Sequence, residues 1–369
     1  MPNVRVTAPP SGPGMTSTVT ERVPGRAPVR VGPVSGVWRP RVVAVPLVSL
    51  GLLAVVSALS IGRGDVQIPV GDVLAVLAGG GARAQQFVVL ELRLPRVAVG
   101  ALVGAALGVA GALTQAVARN PLASPDVLGV TAGAGAAAVA VIALGGTSGV
   151  VGPLLAGIGL PVAAVIGGLG AAALAYALAW RHGLDGYRLV LVGIGIDAAA
   201  TALIDWLLVI TKVQDAARAT VWLTGSLNGR GWEQVVPVAV ALVVLVPAAL
   251  LLSARVGVLQ LGDDSARGLG LRVDRTRAAL VVLAVALAAV ATSAAGPIAF
   301  VALVVPQICL RLAHTARPPL LASAIGGALL VVAADLVART MLPVELPVGI
   351  VIAVLGAPYL LFLLTRRRS

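Results

Sequence analysis

Arg93 and Arg96 stand three residues apart, a spacing that places two cations on one face of a helix. Arg339 closes an apolar run four residues after Asp335, the spacing of an ion pair within one helix. Asp263 and Asp264 open the sequence Leu261-Gly262-Asp263-Asp264-Ser265-Ala266-Arg267-Gly268-Leu269-Gly270. Acidic residues suit the first turn of a helix, and Gly270 is a natural stop. Ala266 and Leu269 can form a small apolar face on this short helix-turn-helix, so the segment reads either as an ordinary charged loop or as a plug for a groove on another protein. This chemistry is that of orientation and docking rather than bond making.

The other reactive side chains lead away from catalysis. Cys309 is the only cysteine and lies in an apolar run, which excludes an internal disulfide and a zinc site of cysteine ligands. His182 and His314 fall at loop edges and read as interfacial residues, so no metal site is expected. A nucleotide-binding loop needs Gly-Lys-Ser/Thr, yet the only lysine, Lys212, follows Thr211. The chain is therefore not an ATPase, no cofactor is expected on it, and any ATP-Mg is held by a partner. Asp197 and Asp205 lie within an apolar run, where carboxylates are costly and tend to be functional. They could face a pathway or a partner subunit, or relay protons.

The elements that must carry these residues are membrane spans. The chain has 369 residues, 59% hydrophobic and only 11% charged, where a soluble domain would be nearer a quarter charged. Forty-four glycines and few aromatics fit closely packed helices. The net charge of +12 rests on arginines in short loops between apolar runs, a topology signal rather than a nucleic-acid surface. Residues 1–38 are rich in Pro, Gly, Ser, Thr and Arg and show no apolar core. They read as a disordered cytoplasmic tail without a signal peptide.

Residues 39–369 divide into ten spans. These are about Val42–Gly62, Val97–Ala118, two within 127–180 separated by Gly145–Gly149 and Pro153, then Leu189–Ile210 and Gln234–Ala254. Residues 278–313 hold two more, split at Gly296-Pro297, followed by Leu320–Ala338 and Leu346–Thr365. With the N-terminus inside, cytoplasmic segments hold 19 arginines and outer segments hold 8 arginines and lysines together. That bias places both termini, and the 255–277 loop, on the cytoplasmic side. Within the second span Gly100, Gly104, Gly108 and Gly111 recur so as to admit a second helix closely. Asn120 and Pro121, with Pro125, then forbid smooth continuation of the helix.

Six stretches occur in order that together resemble the iron-siderophore (FecCD-type) permeases, a family that includes the vitamin B12 permease. They are Arg93-Leu94-Pro95-Arg96, the glycine-rich second span, Arg119 to Pro125, Leu261 to Gly270, Ala295 to Val301, and Glu345-Leu346-Pro347-Val348-Gly349. The resemblance runs from about residue 40 to 365. It implies an all-α polytopic membrane protein of ten helices, the permease subunit of a large-type ABC importer in a bacterial inner membrane. Implied partners are a second permease subunit, two cytoplasmic ATPase subunits and an extracytoplasmic siderophore-binding protein, with lipid around them and no nucleic acid. Residues Leu261, Gly262, Asp263, Asp264, Ala266, Arg267, Leu269 and Gly270 would form the ATPase coupling loop. Arg93, Arg96 and Arg339 would receive acidic residues of the binding protein. Gly193 and Gly195 resemble positions on a helix bordering the pathway. The Asp263-Asp264 pair most resembles subunits of catecholate-siderophore systems, each one half of a heterodimer, with a homodimer as the alternative. A cobalamin or haem permease of the same family and a proton-coupled carrier are the rival readings, and a membrane enzyme ranks last. The family's usual His and Arg in the eighth span are replaced by Gln307 and Leu310.

Overall fold

The computed structural model describes residues 28–31, 34–37, 40–64, 66–145, 151–180, 186–341 and 344–365. His182, Gly146 to Gly149, and Arg366 to Arg368, used above to place loops and topology, lie outside the described residues. The chain divides into two units, Met1–Pro40 and Arg41–Ser369. In the first, β1 (Pro28–Val31) and β2 (Val34–Val37) pair antiparallel, with Val29 opposite Gly36 and Arg30 opposite Ser35. This ladder falls inside the segment expected to be disordered, and the rest of that segment is outside the described residues.

The second unit is helical. Its elements are α1 (Pro40–Gly62), α2 (Val70–Leu77), α3 (Arg83–Gln86), α4 (Leu94–Ala118), α5 (Val130–Leu144), α6 (Val151–Ile158), α7 (Leu160–Ala179) and α8 (Gly186–Ile210). They continue as α9 (Val213–Leu223), α10 (Trp232–Leu259), α11 (Asp263–Gly268), α12 (Val273–Ala295), α13 (Val301–Ala313), α14 (Leu320–Thr340) and α15 (Val348–Thr365). Among the described residues seven helices are long and apolar enough to cross a membrane: α1, the continuous Arg83–Ala118 helix, α7, α8, α10, α12 and α14. Three shorter apolar helices, α5, α13 and α15, coincide with the third, eighth and tenth runs read from the sequence. Each of the ten runs therefore meets one helix.

The second span starts earlier than its apolar run. Phe87–Arg93 forms a π-helical turn that joins α3 to α4. Pro95 lacks an N–H and would clash with the carbonyl four residues back in a regular helix, and a widened turn relieves both problems. Between α12 and α13, Gly296 ends α12 at φ +76°, a left-handed φ that glycine adopts freely at a helix C-terminus. Two short helices, α2 and α9, form in segments that read as loops.

The Arg83–Ala118 helix is the hub, with 72% of its apolar window buried inside the chain against 6% for α1 and 22% for both α8 and α10. Its α4 part packs on α14, α12, α10 and α13. The glycines explain the closest of these contacts. A Cβ at Gly104 would lie 2.2 Å from the Gly327 carbonyl oxygen, one at Gly108 2.0 Å from that of Ser323, and one at Gly111 1.8 Å from that of Ala302. Gly100 is less demanding, because its Cβ would meet the end of the Leu227 side chain at 2.9 Å. The helices thus touch main chain to main chain, the packing that small residues permit in a bilayer.

Candidate functional site

Two ionic clusters sit at opposite ends of α4, separated by about 36 Å at 1.5 Å per residue. The first gathers the C-terminal end of α1, the start of α4, the end of α14 and the strip before α15. Arg96 donates through Nε to both Asp335 oxygens at 3.2 Å and through Nη2 to Oδ1 at 2.8 Å. The same Nη2 meets Glu345 Oε1 at 2.6 Å. From the opposite side Arg339 Nε donates to Asp335 Oδ2 at 3.1 Å. Asp335 is 2% exposed, Arg96 13% and Arg339 11%, so two cations and two carboxylates balance within a largely dry cluster.

The arginines here also close the end of α1. Its last carbonyls lack helical partners and carry the negative end of the dipole. Arg339 donates to the Ser60 carbonyl at 3.1 Å and to its hydroxyl at 2.6 Å. Arg93 donates to the carbonyls of Ile61 at 2.7 Å and Val66 at 2.6 Å. Arg93, Arg96 and Arg339 therefore lie around the end of α1, and each engages acceptors inside the chain. Glu345, 39% exposed, is the member of the cluster open to solvent.

The second cluster holds the α10–α12 loop. Gly262, at φ +103°, turns the chain sharply into α11. Asp263 then accepts from Arg119 Nη2 at 2.7 Å and from Arg277 Nη2 at 3.1 Å. Arg119 takes the left-handed conformation just past α4, φ +51°, and also donates to the Leu259 carbonyl at the end of α10. One side chain so ties α4, α10 and α11 together, while Arg277 adds α12. Although partial desolvation pushes the Asp263 carboxyl up, the Arg277 and Arg119 guanidinium groups outweigh it and hold the carboxyl below its ordinary value. Asp264, by contrast, is fully exposed and among the described residues pairs with Arg267, at 3.3 Å.

The apolar face expected from Ala266 with Leu269 is corrected by the geometry. Ala266 is fully buried, and its main chain is bonded to Gly262 and Leu271 at 2.9 and 3.0 Å. The methyl packs inward and anchors the loop. Leu261 and Leu269, flanking α11, are the exposed apolar side chains.

The remaining site residues separate into packing and open positions. Asn120 makes an Asx turn, its side-chain oxygen accepting from the Leu122 amide at 3.0 Å, which shapes the chain ahead of the turn at Pro125–Leu128. Pro121 lies in that same bend. Gly193 seats α8 on this turn, since a Cβ there would lie 1.7 Å from the Val127 carbonyl oxygen. A Cβ at Gly195 would meet nothing within 4 Å, Gly195 is exposed, and Asp197 and Asp205 are exposed on the same helix. Gln307, in place of the family's usual histidine, donates to buried Gln115 at 2.8 Å, and Gln115 donates to the Leu303 carbonyl at 2.9 Å. This amide chain joins α13 to α4. A cavity of about 240 Å³, lined by Thr114, Ser124, Leu128 and Val281 with the Arg119–Asp263–Arg277 cluster, lies where these elements meet.

Glu345, Arg277 and the Gln115–Gln307 pair had no assigned contact from sequence. Gln307 lies 192 residues from Gln115, and Arg277, only 14 residues from Asp263, meets it across the α11–α12 turn, so only the helix packing reveals these contacts.

Comparison with known proteins places the chain in a family. The profile of the FecCD transport family matches residues 52–366. The ferric enterobactin transport system permease protein of Escherichia coli (strain K12) is 43% identical over 302 residues, covering 82% of this chain and 89% of that protein. The achromobactin transport system permease protein of Dickeya dadantii (strain 3937) is 42% identical, covering 87% and 91%. The iron(3+)-hydroxamate import system permease protein of Bacillus subtilis (strain 168) is 38% identical, covering 87% and 96%. A solved structure titled as an inward-facing conformation of a metal-chelate type ABC transporter superposes with a TM-score of 0.76 at 26% identity, covering 88% of this chain and 99% of that one.

Proposed function

Because the chain belongs to the FecCD transport family, we propose that it is the membrane-spanning permease subunit of an ATP-driven importer that carries a ferric siderophore into the cytoplasm. The observation that carries this reading is the α11 loop: an exposed Leu261–Leu269 pair, held by an ion-pair clasp to the end of the central helix. Such a loop offers a partner an apolar seat and links it mechanically to α4. The partner is an ATPase subunit, on which ATP-Mg is bound and hydrolysed.

A second permease subunit, in a heterodimer with this chain, covers α8. Asp197, Asp205 and Gly195 are exposed on that helix, and carboxylates are costly against lipid, so this face borders a partner or a watered pathway. Both termini are cytoplasmic, which puts α11 inside and the Arg96–Asp335 cluster outside. At the outer cluster a binding protein meets Glu345 and the arginines behind it, a contact that favours orientation and on-rate. Transport is an alternation of states in which ATPase closure shifts the paired subunits.

Uptake of radiolabelled iron, delivered as a panel of ferric siderophores beside labelled cobalamin and haem, tests the cargo in a deletion strain and its complement. Loss of one siderophore alone is expected. Loss of cobalamin or haem instead would move the cargo, and uptake that persists without an ATPase and collapses with the proton gradient would overturn the importer. For the loop, Leu261→Asp with Leu269→Asp is expected to abolish ATPase co-purification while leaving the melting temperature of the chain unchanged. Retained co-purification would remove the loop from the ATPase seat.

A further inference from the structure

The cations around α11 fall into two sets. Arg119, Arg267 and Arg277 each meet a carboxylate. Arg255, near the end of α10, and Arg272 and Arg275, at the start of α12, form no ion pair among the described residues. All three are exposed, and all three line one cavity of about 460 Å³ with Leu271, Thr276 and Ala279. Unpaired guanidinium groups converging on a hollow repel one another unless an anion sits between them.

Two further observations say which anion. The Tyr176 and Trp180 rings sit with centroids 5.4 Å apart, tilted by 37°, at the end of α7, and Tyr176 is within electrostatic reach of Asp274, next to Arg275. Aromatic pairs of this kind gather at the headgroup level of a bilayer, so the cavity lies at that depth. Along α10, Val240, Val244, Pro247 and Leu251 are exposed at steps of four, three and four residues, and Arg255 follows four residues later. This apolar stripe leads along the membrane face of the helix directly to the cavity.

We propose that the cavity bounded by Arg255, Arg272 and Arg275 binds an anionic glycerophospholipid of the cytoplasmic leaflet, its phosphate among the three guanidinium groups and an acyl chain along the α10 stripe. Basic pockets at the cytoplasmic ends of membrane helices are suited to such headgroups. Asp274, the nearby carboxylate, makes no ion pair among the described residues and leaves the cationic excess in place. The leaflet follows from the orientation proposed above, but the binding measurement does not depend on transport.

The test is native mass spectrometry of the full chain released from nanodiscs of phosphatidylcholine with or without phosphatidylglycerol. The chain is expected to retain one phosphatidylglycerol under conditions that strip phosphatidylcholine. Arg255→Gln/Arg272→Gln/Arg275→Gln should lower its affinity on the order of a hundredfold, at about fivefold per arginine, while Arg41→Gln/Arg311→Gln changes it little. Should the triple variant fail to fold in phosphatidylcholine, Arg272→Gln alone should still show about a fivefold loss. Unchanged retention in these variants would overturn the proposal. So would displacement by inorganic phosphate at equal efficiency, which would make the site a free-anion site. Unchanged lipid affinity with loss of ATPase co-purification would assign the arginines to a protein interface instead.

Discussion

At one end of α4, Asp335 lies 2% exposed between Arg96 and Arg339; at the other, Asp263 is 33% exposed between Arg119, 43% exposed, and Arg277. Each cluster places a carboxylate between two guanidinium groups, but the first is deeper and has Glu345 as a second carboxylate. A buried ion pair contributes little net stability when complete, yet breaking it leaves a charge stranded without water. A pair near the surface exchanges protein partners for solvent at little cost. The first cluster is therefore a fixed knot that ties α1, α4 and α14 and meets Glu345, and the second is a clasp that can open and close. In the orientation proposed above, this pairs a stable outer end with an inner loop free to respond to an ATPase.

The largest effect that could break this comparison is at Asp335. Asp335→Ala should lower the stability of the chain by about 3–5 kcal/mol, read as a fall in melting temperature in detergent. A loss below about 1 kcal/mol would mean that the outer cluster is as wet as the inner one. Next is the packing between the clusters: Gly104→Val should cost about 1–3 kcal/mol or more, whereas Gly195→Val, in open space, should leave stability unchanged. Smaller again, Asp263→Asn should cost about 1 kcal/mol or less yet reduce uptake per ATP hydrolysed. An unaltered ratio would deny the clasp a part in coupling. The smallest effect is with pH. The Asp263 carboxyl is lowered in the folded chain, so its contribution is complete above the ordinary carboxylate range and disappears as pH falls through the lowered value. The stability gap between the native chain and Asp263→Asn should therefore be constant near neutral pH and close below about pH 4.

Much of this was legible before any helix was placed. Seven of the ten apolar runs coincide with helices long enough to cross a bilayer, because lipid demands about twenty apolar residues of a span, and the other three meet shorter apolar helices. Gly104 and Gly108 announced a close helix, because only small side chains allow one. The Asp335–Arg339 pair followed from a spacing of four. What stayed hidden depends on long-range packing. The inward turn of Ala266 arises from its setting between α10 and α12, and no local pattern distinguishes it from exposed Leu269. Arg119 reads as a loop cation until α4 ends beside Asp263. The π-helical turn before Pro95 was likewise invisible, since the apolar run itself begins only at Val97.

The glycine contact between α4 and α14 has a mechanical consequence. A Cβ at Gly104 would collide with the Gly327 carbonyl, and one at Gly327 with the Gly104 carbonyl, so no compressible side chain cushions the joint. Two rods touching at their backbones cannot slide past each other without first separating. They behave as a single strut reaching from Arg96 to Arg119. A displacement at the Arg119 end would then be carried along the strut toward the Arg96 end. The bending must then occur elsewhere, in elements such as α8 that are only thinly attached to this strut.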